Sequence, residues 1–143
     1  MREVAGNIWD YHAKGHWIVI TTNGTVRKDG ACVMSRGVAK QAAQKFPKLP
    51  YELGTAIKEM GNVVHHWGQQ GLILFPVKHN WWEKADLVLI EQSVQQLVDL
   101  FEQMTDYPTP IYLVRPGCGN GGLDWSVVKP VLEKYLDDRF VVV

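Results

Sequence analysis

A glycine-rich loop holds the densest group of residues that could do chemistry in this chain. The segment from Gly117 to Gly122 places four glycines in six residues, directly after the apolar run from Ile111 to Val114. Glycine accepts positive φ and lets a ligand approach the main chain, and successive N–H groups in such turns form a concave anion site. The N-terminus of a following helix would add partial positive charge. The loop therefore predicts a ligand that carries phosphate.

Two other polar segments follow apolar runs and could reach the same ligand. Asn23 comes after the run from Trp17 to Ile20, and Lys78 begins a polar segment after a predicted β-hairpin. In open α/β sheets, ligands bind outside the carboxyl ends of the strands. We therefore expect the three loops to converge on one crevice.

Short apolar runs alternate with amphipathic segments, which is typical of an α/β architecture with helices on both faces of a sheet. The six predicted strands are residues 3–9, 17–20, 63–67, 72–77, 111–114 and 139–143. The predicted helices are residues 37–46, 51–60, 87–101 and 126–136.

Local signals mark the ends of these helices. Pro47 ends the first helix, and Asp86 and Asp124 can cap the third and the fourth. In the third helix, apolar residues recur at steps of three and four from residue 87 to residue 101. Pro130 removes one helix hydrogen bond, so the last helix is expected to bend or to start later, close to Pro130.

Length and composition set wider limits. The 143 residues, 46% of them hydrophobic, fit one domain spanning 1–143. Fifteen basic residues balance fifteen acidic ones, which excludes the broad positive field of sequence-independent nucleic-acid binding but leaves room for a local basic rim. No apolar run approaches the roughly 20 residues that cross a bilayer. With no secretory signal at the N-terminus, we expect no membrane association and a cytoplasmic location.

The sequence offers no metal site and no cofactor motif. Cys32 and Cys118 lie far apart without a CxxC spacing, so a disulfide framework and a zinc site are not indicated. His65 and His66 are neighbours on a predicted strand and would face opposite sides of it. We expect reduced thiols, no metal, no cofactor and a monomer.

With the three loops on one side of a sheet, the chain resembles the macrodomain family, in which a mixed sheet between helices binds ADP-ribose. The resemblance implies a three-layer α/β/α sandwich. It is strongest to the branch of DNA-ADP-ribosylation antitoxin macrodomains, terminal ADP-ribose glycohydrolases and ADP-ribose-1″-phosphate phosphatases. The likeness covers nearly the whole chain and rests on Gly6-Asn7-Ile8, Thr22-Asn23, Val33 to Ala39, Phe75-Pro76-Val77-Lys78, Arg115-Pro116-Gly117-Cys118-Gly119 and the pattern Gly-Gly-Leu-x-Trp that follows.

The resemblance implies ADP-ribose as the ligand and assigns its contacts. Asn7 and Ile8 stand where the family contacts adenine, and Asn23 stands where it contacts the distal ribose. Two loops would bracket the diphosphate with main-chain N–H groups. The residues implied in these loops are Ser35, Arg36, Gly37, Val38, Ala39, Gly117, Cys118, Gly119, Asn120, Gly121, Gly122 and Leu123.

Lys78 is the catalytic residue that the resemblance implies, with Asn23 orienting the ribose. The matching lysine of the glycohydrolase and antitoxin groups has a catalytic role, and its amine could attack or polarise the anomeric carbon C1″ once burial suppresses its charge. The alternative is a surface lysine that only pairs with phosphate.

Two positions depart from the family pattern. Asn7 replaces a common aspartate, which keeps an acceptor for the adenine amino group but loses the charge. Gly121 replaces the aspartate that the glycohydrolase group uses two residues after its Gly-Cys-Gly. The antitoxin-like branch also has Gly-Gly at this point, which suggests that the lysine can act alone.

Five residues near the loops have two interpretations each. Asp29 could position water or be an ordinary loop residue, and His79 could touch a leaving group or face solvent. Cys118 could have a pKa lowered by N–H dipoles or be an inert small residue. Trp81 and Trp82 could stack on a base or pack beneath the third helix.

We therefore expect a hydrolase that acts at C1″ of ADP-ribose. The preferred activity is an ADP-ribosyl glycohydrolase that releases ADP-ribose from a modified nucleic acid or protein, with ADP-ribosylated DNA as one candidate partner. The alternatives are an ADP-ribose-1″-phosphate phosphatase, a non-catalytic ADP-ribose-binding module and, more distantly, an unrelated nucleotide-binding α/β module.

Overall fold

A six-stranded mixed sheet lies at the centre of the molecule, which a computed structural model describes over residues 1–143. The strands are β1 (Arg2–Glu3), β2 (Ile18–Asn23), β3 (His65–Trp67), β4 (Leu72–Lys78), β5 (Ile111–Leu113) and β6 (Phe140–Val142). The helices are α1 (Ile8–Ala13), α2 (Gly37–Lys45), α3 (Leu49–Met60), α4 (Leu87–Gln103) and α5 (Trp125–Glu133). The strand order is β1-β6-β5-β2-β4-β3, and only the β3–β4 hairpin is antiparallel. The predicted α/β class and mixed sheet are confirmed.

Helices cover both faces of the sheet, so the fold is the predicted three-layer α/β/α sandwich. On one face, Ile90 of α4 and Leu132 of α5 belong to a core of 16 buried residues. On the other face, Ala42 of α2 and Leu53 of α3 belong to a core of 11 buried residues. The sheet therefore stands between two apolar layers.

The central strands β2 and β4 contribute to both cores. Val19 packs in the first core, whereas its neighbours Ile18 and Ile20 pack in the second, because successive side chains of a strand point to opposite faces. All seven residues of β4 are buried. A parallel strand with helices on both faces is apolar over most of its length, which is why continuous hydrophobic runs identified these strands, whose polar residues lie at their carboxyl ends.

The N-terminal segment differs from its prediction as a strand over residues 3–9. Only Arg2–Glu3 joins the sheet, and a helix begins at Ile8. Asn7 caps this helix, because its side-chain Oδ1 accepts a hydrogen bond from the Trp9 N–H at 3.0 Å. Ile8 and Trp9 then pack into the second core. The polar cap therefore ended the extended segment where the apolar pattern alone predicted more strand.

Of the two outcomes expected for the last helix, a bend or a later start, the later start is wrong. Asp124 Oδ1 accepts a hydrogen bond from the Ser126 N–H at 3.2 Å, and α5 begins at Trp125 with Pro130 inside it. The hydrogen bond that Pro130 cannot make would have gone to the carbonyl of Ser126, four residues earlier. Ser126 is exposed, so water can satisfy that carbonyl. The cap at Asp124 therefore sets the start of the helix.

Helix α4 confirms the most regular pattern in the sequence. Asp86 caps it by accepting the Val88 N–H at 2.9 Å, as predicted. Its apolar stripe, which includes Val94 and Phe101, is buried in the first core. None of the five helices has the length and hydrophobicity that crossing a bilayer requires.

The loop between β2 and α2 packs directly on α3 at Gly54. The Cys32 N–H donates to the carbonyl of Pro50 at 2.8 Å. A Cβ atom at position 54 would lie 1.9 Å from the carbonyl oxygen of Gly30. Only glycine allows this approach, so Gly54 helps to hold the loop that leads into α2.

We expect Gly54→Ala to destabilise the protein, although alanine is the better helix former by about 1 kcal/mol. The added methyl group must displace the loop backbone, which costs about 1–3 kcal/mol in a tightly packed site. Urea denaturation would measure this loss. Lys58→Ala, at an exposed position of the same helix, is the control and should stay within about 0.5 kcal/mol. A more stable Gly54→Ala variant would contradict this packing.

Candidate functional site

The carboxyl ends of β2, β4 and β5 open into one crevice of about 280 Å³. Loops after all three strands line it, so the convergence predicted from the sequence is observed. Its walls are formed by Thr21, Thr22, Asn23, Val33, Ser35, Arg36, Gly37, Val38, Ala39, Val77, Lys78, Trp81, Val114, Arg115, Gly117, Cys118, Gly119, Asn120 and Gly121.

Asn23 and Lys78 are neighbours across the β2–β4 ladder. The two strands pair in parallel, and the register slips by one residue after Thr22, so that Asn23 stands opposite Lys78 rather than Val77. Both side chains line the crevice. The slip therefore brings the two residues predicted for chemistry to the same point.

Lys78 is a buried lysine, with only 9% of its surface exposed. Its Nζ donates a hydrogen bond to the backbone carbonyl of Trp81 at 3.3 Å. Burial lowers the pKa of Lys78 below the ordinary lysine value, and the positive charge of Arg36 lowers it further. More of the neutral amine is therefore present than in a solvated lysine, and Lys78 lies in the crevice wall instead of on the open surface.

The Asn23 side chain forms hydrogen bonds that hold the loop after β2. Its Oδ1 accepts a hydrogen bond from the Thr25 N–H at 3.0 Å, and its Nδ2 donates to the carbonyl of Val33 at 2.9 Å. One amide hydrogen and one lone pair remain for a ligand. Asn23 can thus orient a ribose from a side chain that its own loop holds in place.

Two sets of backbone N–H groups face each other across the crevice. Arg36 precedes α2 without giving it a side-chain cap, so the first N–H groups of that helix keep no capping partner. Gly37 has a φ of +55°. A Cβ atom there would lie 3.2 Å from Asn120 Nδ2 in the glycine loop, so the two loops approach closely. This arrangement suits an anion such as a diphosphate.

The crevice is positively charged, although the chain as a whole is neutral. Arg36, Lys78 and Arg115 line it, and no carboxylate does. Arg115 also reaches the Glu3 carboxylate at 4.0 Å at the rim. The local basic rim that composition left open is therefore present, and it lies where the phosphate site is predicted.

Gly121 leaves no space for the aspartate that the glycohydrolase group has at this position. A Cβ atom on Gly121 would lie 2.9 Å from the Cβ of Ala85. The Gly121 carbonyl also accepts the Ala85 N–H at 2.9 Å, so the two loops are joined at this point. A side chain at position 121 would therefore require a shift of one of the two loops.

The other acidic candidates serve local structure. Asp29 lies outside the crevice and pairs with Arg27 at 3.0 Å. Asp124 caps α5, as predicted. His79 is exposed and its Nε2 lies 2.8 Å from Asp86 Oδ2, which places it on the helix cap instead of in the crevice.

Cys118 lines the crevice as a weakly acidic thiol. Burial raises its pKa above the usual thiol value, and Asp124 adds to that rise while Arg115 opposes it. Its Sγ lies 3.8 Å from the carbonyl of Pro116. The predicted lowering of its pKa by N–H dipoles is not found, which favours the interpretation of Cys118 as a small, inert residue.

The tryptophan pair stands at the mouth of the crevice and is not packed beneath α4. Trp81 lines the wall with 36% of its surface exposed, and Trp82 is 64% exposed. The guanidinium of Arg36 lies 5.7 Å from the centre of the Trp81 ring. Of the two interpretations, the structure supports surface aromatics that a ligand can reach.

Four residues predicted to bind the ligand lie outside the crevice walls. Asn7 is exposed and caps α1, and Ile8 is buried in the second core. Gly122 faces the side chain of Lys84, and Leu123 packs against the first core. Their contacts with adenine and diphosphate stay predictions.

Arg115 is a crevice residue to which the sequence assigned no ligand contact, and for Trp81 the sequence left stacking on a base and packing beneath α4 open. Arg115 follows β5 directly, and a charged residue just after a buried strand is a signal that would have found it. Its guanidinium also lies 5.1 Å from the ring of Trp125, which holds it near the rim. Trp81 has no comparable local signal, because its place depends on contacts with a distant loop.

Comparisons with known proteins agree with this geometry. No family model matches the sequence. One relative is the DNA ADP-ribosyl transferase-DNA ADP-ribosyl glycohydrolase fusion protein of Thermosipho africanus, to which the chain is 26% identical over 138 residues. The alignment covers 78% of this chain and 34% of that protein. The chain thus spans about a third of this relative.

Solved structures share the whole fold. The macrodomain of Thermus aquaticus DarG matches 99% of this chain and 95% of its own, with a TM-score of 0.74 and 26% identity. Thermosipho africanus DarTG in complex with ADP-ribose matches 98% of this chain and 40% of its own, with a TM-score of 0.73 and 20% identity.

The α/β/α sandwich has the fold of the solved macrodomains. The chain is similar to the DarG macrodomain of Thermus aquaticus over nearly its full length. The family resemblance expected from the sequence is confirmed.

We expect Gly121→Asp to destabilise the protein by about 1–3 kcal/mol, because the new side chain overlaps Ala85. The double variant Gly121→Asp with Ala85→Gly should recover part of this loss, and a double-mutant cycle in urea would measure the coupling. Asn120→Asp, which adds the same charge at an exposed neighbouring position, is the matched control. Equal stability of Gly121→Asp and this control would show that the position has room for a carboxylate.

Proposed function

We propose that this chain is an ADP-ribosyl glycohydrolase that binds ADP-ribose in the crevice and releases it from modified DNA. The observation that carries the proposal is the buried Lys78 with its lowered pKa, beside Asn23, in a crevice lined by cations and no carboxylate. The names of the Thermosipho africanus relative and structure, which refer to a DNA ADP-ribosyl glycohydrolase and to bound ADP-ribose, support the substrate.

In the proposed reaction, Lys78 is the one nucleophile that the protein supplies. The neutral amine of Lys78 attacks C1″, and the bond from C1″ to the nucleobase breaks with its electron pair going to the base. The base takes up a proton as the attacking nitrogen loses one. Water then adds at C1″, releases ADP-ribose and returns the free amine. Asn23 holds the distal ribose while the two sets of N–H groups hold the diphosphate.

Lys78→Ala is expected to lower kcat on ADP-ribosylated single-stranded DNA by at least about a hundredfold. Affinity for free ADP-ribose should change little, because the backbone N–H groups of the two loops remain. Lys78→Arg should also be inactive, since a guanidinium stays charged. Release of labelled ADP-ribose and calorimetry measure the two quantities. Lys40→Ala, on the exposed face of α2, is the control. Full activity of Lys78→Ala would overturn the assignment.

The pH dependence separates nucleophilic attack from polarisation by a charged ammonium group. If the neutral amine attacks, kcat/KM rises with pH through the lowered pKa of Lys78 and then levels off. Arg36→Gln removes a charge that lowers this pKa, so the rise should move to higher pH. Arg36→Lys keeps the charge and should stay near the wild-type profile. A rate that falls as pH rises would show that the protonated form is needed.

The cationic crevice also favours a second candidate, an ADP-ribose-1″-phosphate phosphatase, since a terminal phosphate would meet the same charges. Turnover of that phosphate, measured beside turnover of ADP-ribosylated DNA, decides between the two. Tight binding of ADP-ribose with turnover of neither substrate would instead indicate a non-catalytic ADP-ribose-binding module.

A further inference from the structure

The backbone of Trp81 is tied to the catalytic lysine and to a second loop. The Trp81 N–H donates to Thr25 Oγ1 at 3.0 Å, and its carbonyl accepts the hydrogen bond from Lys78 Nζ at 3.3 Å. Thr25 Oγ1 also lies 3.4 Å from Asn80 Oδ1. These contacts hold the start of the β4–α4 loop against the loop after β2. The position of the tryptophan pair relative to Lys78 is therefore fixed by the fold.

Trp82 adds a second, more exposed aromatic ring beside Trp81. Its ring stands edge-on to the ring of Trp81, with centroids 6.0 Å apart and planes at 89°. It is 64% exposed, whereas a side chain of this size is usually well buried. The pair presents a rigid aromatic face to solvent, continuous with the crevice wall that Trp81 forms.

We propose that Trp82, supported by Trp81, is a stacking site for an unpaired nucleobase that flanks the modified nucleotide of a single-stranded DNA. The proposal rests on the proposed function, because the ADP-ribose of that nucleotide must occupy the crevice. It adds a second contact region, outside the crevice, that recognises the polynucleotide itself.

The chemistry around the pair favours a nucleic acid over a peptide. Stacking on an indole accepts any base, and it is the common way in which proteins hold single strands. Positive charge lies close to the pair, because the Arg36 guanidinium is 5.7 Å from the centre of the Trp81 ring. Lys84, two residues after Trp82, forms no salt bridge with a carboxylate. These cations can attract the phosphates of a strand whose base stacks on Trp82.

A single strand is required because the faces of bases in a duplex are covered by their neighbours. The flanking base must leave its stack to lie on Trp82. The site therefore predicts a preference for single-stranded over double-stranded DNA that carries the same modification.

The test compares two ligands on the Lys78→Ala variant, which should bind without turnover. These are free ADP-ribose and a short single-stranded DNA with one ADP-ribosylated base. The DNA should bind more tightly, and Trp82→Ala should weaken its binding by roughly 5- to 150-fold while leaving ADP-ribose unchanged. Trp82→Phe should keep part of the affinity. Val88→Ala removes an apolar side chain that is 66% exposed, six residues after Trp82, and is the matched control.

Several outcomes would overturn the stacking site. One is equal affinity of the Lys78→Ala protein for free ADP-ribose and for the modified DNA. A second is an unchanged DNA affinity in Trp82→Ala. A third is an equally large loss of affinity for an ADP-ribosylated peptide in Trp82→Ala. A change from dimer to monomer in Trp82→Ala with unchanged DNA affinity would instead make the pair a contact between copies. Failure of the proposed function would be seen separately, as absence of ADP-ribose release by the wild-type protein, and does not alter the binding comparison.

Discussion

The parallel pairing of β2 with β4 is the interaction on which the site depends. Both strands are buried between two apolar layers, so neither can shift without moving side chains in both cores. The register slip after Thr22 is part of this pairing, and it places Asn23 beside Lys78. The position of Lys78 is thus determined by hydrophobic packing on both faces of the sheet. A flexible loop alone would not hold a side chain within so narrow a range.

The crevice brings like charges together, whereas elsewhere in the molecule opposite charges pair. On the surface, opposite charges meet, as between Lys129 and Glu3 at 2.7 Å. In the crevice, Arg36 and Lys78 repel each other, and burial also disfavours the ammonium form. This unfavourable arrangement is relieved when an anionic group enters, because it gives the cations the partner that the chain does not supply. The same arrangement lowers the pKa of Lys78.

The parts of the fold that depend on regular apolar patterns could be predicted from the sequence. Helix α4, the continuous runs of β2 and β4, and the caps at Asp86 and Asp124 depend on neighbouring residues and are found as expected. Helix α1 was missed because a single polar cap, Asn7, decides it. The register slip was missed, and the two interpretations of Trp81 could not be separated, because both depend on pairing between segments about 55 residues apart, such as Thr25 with Trp81. The site was therefore predictable as a set of loops, but its exact walls were not.

The contact between Gly121 and Ala85 has a consequence for how such chemistry can change over time. A carboxylate at position 121 needs a smaller residue or a moved backbone at position 85, because its Cβ would lie 2.9 Å from the Cβ of Ala85. Exchange of Gly121 for aspartate alone therefore gives a poorly packed protein. Two macrodomains with the same fold can in this way keep different catalytic groups, because the route between them passes through a poorly packed ancestor.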